Sequence, residues 1–340
     1  MMKYTSGLLF ILIFQTSCGQ NQTNPPQDNT SLGYSESQLK EAVTTRVPMG
    51  MVRHVRQARN GDILIASYLG VFRYDGTSFT NLTGKIISPR FASFWDVLED
   101  RKGNLWFASM GSGVYYYNGK SVQHFTTEEG LASNGVGSIY EDKAGNIWFG
   151  ASRFDGKSFR TFTTNDGFPS NNIRLLLEDK TGKLWFGAQG ENMFVYDGKT
   201  FTVLKNKDGK AFNNVWSIIE DKKGNIWFGD VGGLWRYDGS TFTNVSQRGA
   251  YSIIEDKKGN IWTTGEVNPK VWALSRYDAK SLYDKIPTVT EIKSGGRMEF
   301  LGILEANDGS IWYGAAGPES GVHRYDGKTF TYFKSRENQQ

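Results

Sequence analysis

One phrase recurs along this chain of 340 residues and constrains its fold more than any other feature. It reads EDKAGNIWFG at 141–150, EDKKGNIWFG at 220–229 and EDKKGNIW at 255–262. Aligned on its first residue, the phrase starts at Gln57, Glu99, Glu141, Glu178, Glu220, Glu255 and Glu305. A repeat of roughly 42 residues is typical of a four-stranded propeller blade. The sequence therefore predicts an all-β protein, a seven-bladed β-propeller with four antiparallel strands per blade.

The copy at 215–245 shows how the sequence of one blade is organised. The apolar run VWSII predicts the first strand, and Asp221 opens a type I turn with Gly224 three residues later. IWFG predicts the second strand and GLWRY the third, followed by a tight turn at Asp238-Gly239 and the fourth strand, STFTNV. One column of the alignment is almost always tryptophan: Leu64, Trp106, Trp148, Trp185, Trp227, Trp262 and Trp312. We expect these rings to form the core between blades, and the recurring glycines and aspartates to serve the turns.

Composition agrees with many short strands and excludes one class of partner. The chain has 10 Trp, 16 Tyr, 22 Phe and 40 Gly but only 8 Pro, which suits strands joined by tight turns. Its 39 Lys and Arg nearly balance 35 Asp and Glu, and no basic stripe is present. The charge pattern gives no support for a nucleic-acid partner.

The N-terminus carries the pattern of an export signal. Lys3 precedes the apolar run GLLFILIF, and QTSC ends at Cys18, the only cysteine of the chain. Residues 1–18 are interpreted as a bacterial lipoprotein signal with Cys18 as the lipidated residue, although Gln15 stands where an aliphatic residue is usual. The alternative is an ordinary secretory signal.

The remaining boundaries follow from composition. The polar segment 19–47 is interpreted as a flexible tether, 48–336 as the propeller and 337–340 as a tail. No further apolar run is long enough to span a bilayer. We expect an exported protein, lipid-anchored in the cell envelope, at the outer membrane and facing the periplasm or the surface.

The candidate binding site lies on one face of the ring. Loops between the second and third strands and between blades differ from copy to copy, for example GAQGEN, GDVGG and TGEVNPKVWALS, and binding residues are often carried by such loops. Four residues before the glutamate column stand Arg53, Trp95, Gly137, Arg174, Trp216, Tyr251 and Leu301. Loop residues that could join them are Arg90, Asn134, Asn172, Asn214 and Arg297. Aromatic faces stack on sugars or bases and arginine pairs with carboxylate or phosphate. The alternative is that these residues plug the channel or pair with loop carboxylates.

The segment EDKKGNIWFGDVGGLWRYDGSTFT (220–243) resembles the two-component regulator propeller repeat, common in sensor proteins of Bacteroidota. The resemblance covers about 48–334 and recurs in every copy. It implies a periplasmic ligand-sensing propeller, often for glycan fragments. The family usually continues into a second propeller, a β-sandwich, a membrane helix and a histidine kinase. None of these follows in this sequence, so we expect signalling to pass through an envelope or sensor-kinase partner.

Enzyme chemistry has little support in the sequence. His54, His124 and His323 fall on different blades, which disfavours a metal cluster, and no GxSxG or phosphate loop is present. We expect no catalytic residue, metal or cofactor. Three hypotheses remain: a propeller that binds a glycan fragment or partner on its varied face, a protein–protein scaffold in an envelope complex, and a propeller lyase or glycan hydrolase. Only His54 with Asp96 resembles the His–carboxylate pair of a propeller lyase.

Overall fold

Seven antiparallel sheets follow one another along the chain in the computed structural model. The structure describes residues 42–44, 47–48, 50–84, 93–168, 173–188, 190–230, 232–296 and 300–333. Within these residues, helical structure is limited to two single 3₁₀ turns, Thr164–Asp166 and Gly317–Glu319. The prediction of a seven-bladed β-propeller is confirmed.

Each blade consists of four consecutive strands, and their chain order runs from the innermost strand to the outermost. Blades 1 to 3 comprise Val52–Gln57, Ile63–Ser67, Gly70–Tyr74 and Phe79–Asn81; Phe94–Glu99, Leu105–Ser109, Val114–Tyr117 and Val122–Phe125; and Tyr140–Glu141, Ile147–Phe149, Ser152–Phe154 and Phe159–Thr161. Blades 4 and 5 comprise Ile173–Glu178, Leu184–Ala188, Phe194–Tyr196 and Phe201–Val203; and Ser217–Glu220, Ile226–Asp230, Gly233–Tyr237 and Phe242–Ser246. Blades 6 and 7 comprise Ser252–Glu255, Ile261–Asn268, Val271–Tyr277 and Val289–Gly296; and Phe300–Glu305, Ile311–Ala315, Gly321–Tyr325 and Phe330–Tyr332.

The N-terminal boundary of the propeller differs from residue 48, the position expected from the sequence. Every blade has four consecutive strands, so the ring closes on whole blades. An additional strand, Ala42–Thr44, pairs antiparallel with Phe79–Asn81 and makes blade 1 five-stranded. These three residues fall in the segment interpreted as a tether. The physical reason is that the outermost strand of a blade offers an unpaired edge, which an extended segment can occupy.

Blades pack against one another through apolar clusters, one at each of the seven interfaces. The residues of the tryptophan column all lie in these clusters, and none exposes more than 5% of its surface. Trp106 of blade 2, for example, packs with Ile139, Ile147 and Phe149 of blade 3. The expectation that this column forms the core between blades is confirmed.

In blades 2 to 6, the turn that follows the inner strand is held by a buried aspartate. Asp221 Oδ1 accepts hydrogen bonds from the amides of Lys223 and Asn225, while Oδ2 accepts from Trp227 Nε1 at 2.8 Å. The same aspartate-to-tryptophan bond, 2.7–3.0 Å long, occurs in blades 2 to 6. The aspartate therefore fixes both the turn and the orientation of the core ring.

The glutamate that opens the phrase joins neighbouring blades. Glu220 Oε2 of blade 5 accepts a hydrogen bond from the backbone amide of Lys180, in the turn of blade 4, at 2.8 Å. The equivalent bond occurs at every interface, at 2.6–2.9 Å, and Gln57 accepts it from Asn307 where the ring closes. We call the side of the ring that carries these turns the turn face, and the opposite side the varied face.

Crowding near the axis explains the glycine that follows the aromatic pair in IWFG. A Cβ atom added to Gly229 would lie only 1.9 Å from the carbonyl oxygen of Ala250, on the next blade. At Gly314 it would lie 2.3 Å from Val52 O. Neighbouring blades can therefore approach this closely only where the side chain is absent.

Candidate functional site

A cavity of about 570 Å³ opens on the varied face between blades 5 and 6. Its volume lies within the range of roughly 300–1,000 Å³ usual for small-molecule sites. Its side-chain lining includes Asn214, Trp216, Asp230, Gln247, Tyr251, Glu266 and Trp272. The cavity is on the face where the sequence placed the site, and it lies to one side of the central channel.

Three aromatic rings form one wall of the cavity. Trp216 and Tyr251 each precede the inner strand of their blade, and their ring centroids are 4.7 Å apart. Tyr251 lies 5.7 Å from Trp272, at an interplanar angle of 60°. Trp272 stands on the long hairpin formed by Ile261–Asn268 and Val271–Tyr277, within the varied segment TGEVNPKVWALS. This long segment therefore builds a wall of the cavity.

Asp230 supplies a partly buried carboxyl group to the cavity. It ends the strand Ile226–Asp230, where its Oδ1 accepts hydrogen bonds from the amide of Gly232 at 2.7 Å and from Trp235 Nε1 at 2.8 Å. Burial raises the pKa of Asp230, and these two bonds oppose that effect. Titratable groups perturbed by burial in a cleft are frequent at functional sites.

Asn214 contributes an amide held in an unusual backbone conformation. Its φ of 56° lies in the left-handed region, which costs a non-glycine residue on the order of 1 kcal/mol or more. Its backbone N–H donates a hydrogen bond to Glu191 O at 3.1 Å, and its side-chain Oδ1 accepts one from Gly190 N at 3.3 Å. The side chain is thereby fixed at the rim of the cavity.

The mouth of the central channel is occupied by Arg53. Its Nη1 donates to Tyr251 Oη at 3.0 Å, and its Cζ lies 4.1 Å from the centroid of the Trp95 ring. The space beside these residues measures only about 50 Å³. Residues of the predicted column therefore meet around the channel mouth, but they fall into two groups. Arg53 and Trp95 fill the mouth as the plug alternative describes, whereas Trp216 and Tyr251 also line the larger cavity.

The other predicted site residues lie elsewhere. Asn134 Oδ1 accepts a hydrogen bond from Thr127 N at 2.9 Å and so holds its own loop, away from the cavity. The side chain of Arg174 lies outside the described part of the structure. The same is true of Cys18, Arg90, Asn172 and Arg297.

The pair expected in a lyase does not form a hydrogen bond. His54 Nδ1 lies 3.9 Å from Asp96 Oδ1 and 2.5 Å from the carbonyl oxygen of Trp95. Asp96 is fully buried and accepts two hydrogen bonds from Arg56, at 2.7 and 2.9 Å, and one from Ile139 N at 2.9 Å. Burial opposes the charge of Asp96, but Arg56 and His54 hold its pKa below the ordinary value. Asp96 therefore links blades 1, 2 and 3 through buried hydrogen bonds.

The two remaining histidines pack against tyrosines. His124 stacks on Tyr115 with centroids 4.2 Å apart, and His323 is fully buried between Tyr313 and Tyr332. Burial lowers the pKa of His323. Within the described ranges, no group of three or more His, Cys, Asp or Glu is arranged to hold a metal ion.

The sequence analysis missed Asp230, Gln247, Glu266 and Trp272. Asp230, Glu266 and Trp272 occur in segments that it singled out, since GDVGG contains Asp230 and TGEVNPKVWALS contains the other two. The signal that could have found them is loop length: the longest loop on the varied face marks the blade that forms the cavity wall.

The structure is thus a propeller with a cavity of small-molecule size on its varied face. The family model described as two component regulator propeller matches residues 130–153, 167–190 and 209–232. Three segments of the chain therefore match the two-component regulator propeller repeat that its sequence resembles. A search of curated proteins found no match.

Several solved structures share the fold. The extracellular domain of BT3049 from B. thetaiotaomicron, described as a hybrid two component system, is 21% identical with a TM-score of 0.66, and the alignment covers 81% of this chain and 40% of that one. Virginiamycin B lyase from Staphylococcus aureus is 15% identical with a TM-score of 0.61, over 81% of this chain and 95% of that one. PorZ, a surface component of the type-IX secretion system of Porphyromonas gingivalis, is 16% identical with a TM-score of 0.57, over 79% and 46%. At these identities the similarity establishes the fold and leaves function to the site.

Membrane association through a helix is not seen in the described ranges, where no helix has the length and hydrophobicity needed to cross a bilayer.

Proposed function

We propose that this protein is a non-catalytic sensor propeller of the bacterial envelope, and that it binds a glycan fragment in the cavity between blades 5 and 6. The observation that carries the proposal is the convergence of Trp216, Tyr251 and Trp272 with polar groups on Asn214 and Asp230. The apolar face of a sugar ring packs on aromatic rings, while its hydroxyl groups bond to carboxylate and amide oxygens.

Structural similarity supports the sensing role. The family model is that of regulator propellers, and the BT3049 structure is an extracellular domain. We propose that this chain is likewise exported, with Cys18 as its lipid anchor, and that it passes its bound state to an envelope or sensor-kinase partner. Similarity to the fold of the lyase does not support catalysis here, because the Asp96 carboxylate already accepts two hydrogen bonds from Arg56.

The proposal is tested by a thermal-shift screen of the purified protein against oligosaccharides of different charge and linkage. A ligand at 100 times its Kd stabilises the native state by about 2.7 kcal/mol, which raises the melting temperature measurably. The shift should disappear in Trp216→Ala. It should persist in Tyr68→Ala, a matched control whose ring is 56% exposed on the varied face of blade 1. No shift with any saccharide would overturn the proposal.

A scaffold is the second candidate, favoured by one surface feature. Tyr68, Leu69 and Met110 are exposed by 56%, 51% and 40% on the loops of blades 1 and 2, on the varied face. Exposed apolar side chains on the loops of adjacent blades can mark a protein-binding surface. If the saccharide screen fails, retention of an envelope partner by the native protein and its loss in a Tyr68→Ser/Leu69→Ser variant would support this alternative.

A further inference from the structure

The cavity between blades 5 and 6 has a definite charge. Among the described residues that line it, Asp230 and Glu266 carry carboxyl groups, and no lysine or arginine is present. The sequence analysis placed arginines among the site residues, and of these only Arg53, at the neighbouring channel mouth, has a described side chain. An anionic ligand would meet two like charges there, which disfavours it.

Two arginines close to the cavity already have partners. Arg248, next to Gln247, pairs with Glu291 at 2.5 Å. Arg53 donates to the hydroxyl of Tyr251 and lies on the ring of Trp95. Arg53 therefore shows that an aromatic ring at the channel mouth, that of Trp95, already holds a cation.

We propose that the cavity selects a glycan whose sugars carry a free amine, such as a short oligomer of glucosamine. In this arrangement the ammonium group lies against the rings of Trp216, Tyr251 and Trp272, and it donates hydrogen bonds to the carboxylates of Asp230 and Glu266. Cations are attracted to the faces of aromatic rings, and charge-assisted hydrogen bonds are stronger than neutral ones. This inference rests on the proposed function and names its ligand class.

The burial of Asp230 is a second reason to expect a preference for an amine. Its carboxyl is poorly solvated, since burial raises its pKa. An ammonium group placed beside it would replace the missing solvation and stabilise the charged form. A neutral hydroxyl would do so less well. The same cavity should therefore distinguish an amine from the N-acetylated form of the same sugar.

The test compares three tetrasaccharides by isothermal titration calorimetry with the full-length protein: glucosamine, N-acetylglucosamine and galacturonate. We expect the glucosamine tetramer to bind at least about tenfold more tightly than the N-acetylated one, and the galacturonate tetramer to bind most weakly. Raising the salt concentration should narrow the difference, because screening weakens partly exposed charge pairs.

Two variants remove charge while keeping the local structure. Asp230 accepts both of its hydrogen bonds through Oδ1, and Glu266 accepts from Lys270 N through Oε1, so Asp230→Asn and Glu266→Gln can retain every one of these bonds. Each should reduce the preference for the amine several-fold, and the double variant should abolish it. The matched control is Asp208→Asn, which removes one exposed negative charge outside the cavity and should leave the preference unchanged.

The outcomes separate this inference from the proposed function. Equal binding of the amine and N-acetyl tetramers, lost in Trp216→Ala, would overturn the amine preference and retain the glycan site. Equal weakening by Asp230→Asn and Asp208→Asn would show a general charge effect and would also overturn it. No binding of these tetramers or of any saccharide in the wider screen would overturn the proposed function as well.

Discussion

The two faces of this propeller are built on opposite plans. On the turn face, each blade sends one backbone amide to the side chain of Glu or Gln on the next blade, seven times around the ring. On the varied face, no side-chain bond of this kind recurs among the described loops, and blades 5 and 6 open into a cavity of about 570 Å³; a cavity of about 560 Å³ lies on the turn face between blades 7 and 1. The repeated phrase that dominates the sequence therefore belongs to the face that stabilises the ring.

The difference shows where the chain can tolerate change. Because the turn face and the clusters between blades fix the relative positions of the sheets, loops on the other face can lengthen without displacing them. Blade 6 illustrates this, since its second and third strands run on into a long hairpin while its inner strand and turn keep the common pattern. The cavity wall is thus an addition to a blade of otherwise ordinary construction.

The largest predicted difference between the faces concerns two tryptophans of the same blade. Trp227 is fully buried and donates to Asp221, so Trp227→Ala should lower the free energy of unfolding by about 3–5 kcal/mol. Trp216 lines the cavity and is only partly buried, so Trp216→Ala should cost at most about 1–2 kcal/mol. Urea denaturation of both variants measures the two values.

Trp227→Phe serves as the control, because it keeps an aromatic ring and removes the bond to Asp221. We expect an intermediate loss of stability. If Trp216→Ala proved as destabilising as Trp227→Ala, the varied face would also be part of the scaffold, and the contrast between the faces would fail.

A somewhat smaller effect is expected at the axis, where Asp96 links three blades. Asp96→Ala would leave the guanidinium of Arg56 without its carboxylate and Ile139 N without an acceptor, which should cost about 3 kcal/mol. Replacing both partners, as in Arg56→Met with Asp96→Leu, should recover much of this loss. A stable Asp96→Ala variant would instead indicate that the carboxylate does not hold the three blades together, and would reopen the lyase hypothesis.

The same contrast explains how much could be predicted from the sequence. Strand order, blade number and the buried tryptophans were predictable because each signal occurs in almost every copy. The partner of the repeated glutamate was not, since Lys180 and Glu220 are 40 residues apart and meet only when two blades dock. Asp230 and Trp272 each occur once, and their approach depends on the relative position of two loops. A single sequence contains no repeated signal for such a site.

The turn face departs from its own pattern in blade 7, which allows a test by pH. In this blade Ala306 replaces the usual aspartate, and Trp312 Nε1 donates to Ser310 Oγ. Asp308 accepts from Ser310 and Arg324. Partial burial opposes its charge, but these bonds lower its pKa from 3.8 to about 2.

A lowered pKa stabilises the fold above pH 4, and the contribution is lost as the pH falls from about 4 to about 2. Because the Asp308 side chain is 55% exposed, we expect Asp308→Asn to cost only about 1 kcal/mol at pH 7. Chemical denaturation at several pH values should show the wild type and the variant converging near pH 2. A difference that stays constant down to pH 2 would show that charge does not act at this position.

The smallest predicted effect tests the ring of hydrogen bonds itself. Glu220→Ala removes one acceptor at the interface of blades 4 and 5 and should cost about 1 kcal/mol. Glu220→Gln should cost almost nothing, because Gln57 already accepts the equivalent bond from Asn307 at 2.8 Å where the ring closes. If Glu220→Gln were as harmful as Glu220→Ala, the charge of the glutamate would matter more than its position as an acceptor. The six glutamates would then stabilise the ring by attracting the Lys and Arg side chains of the preceding turns. Charge attraction between blades, and not the hydrogen bonds to backbone amides, would hold the turn face together.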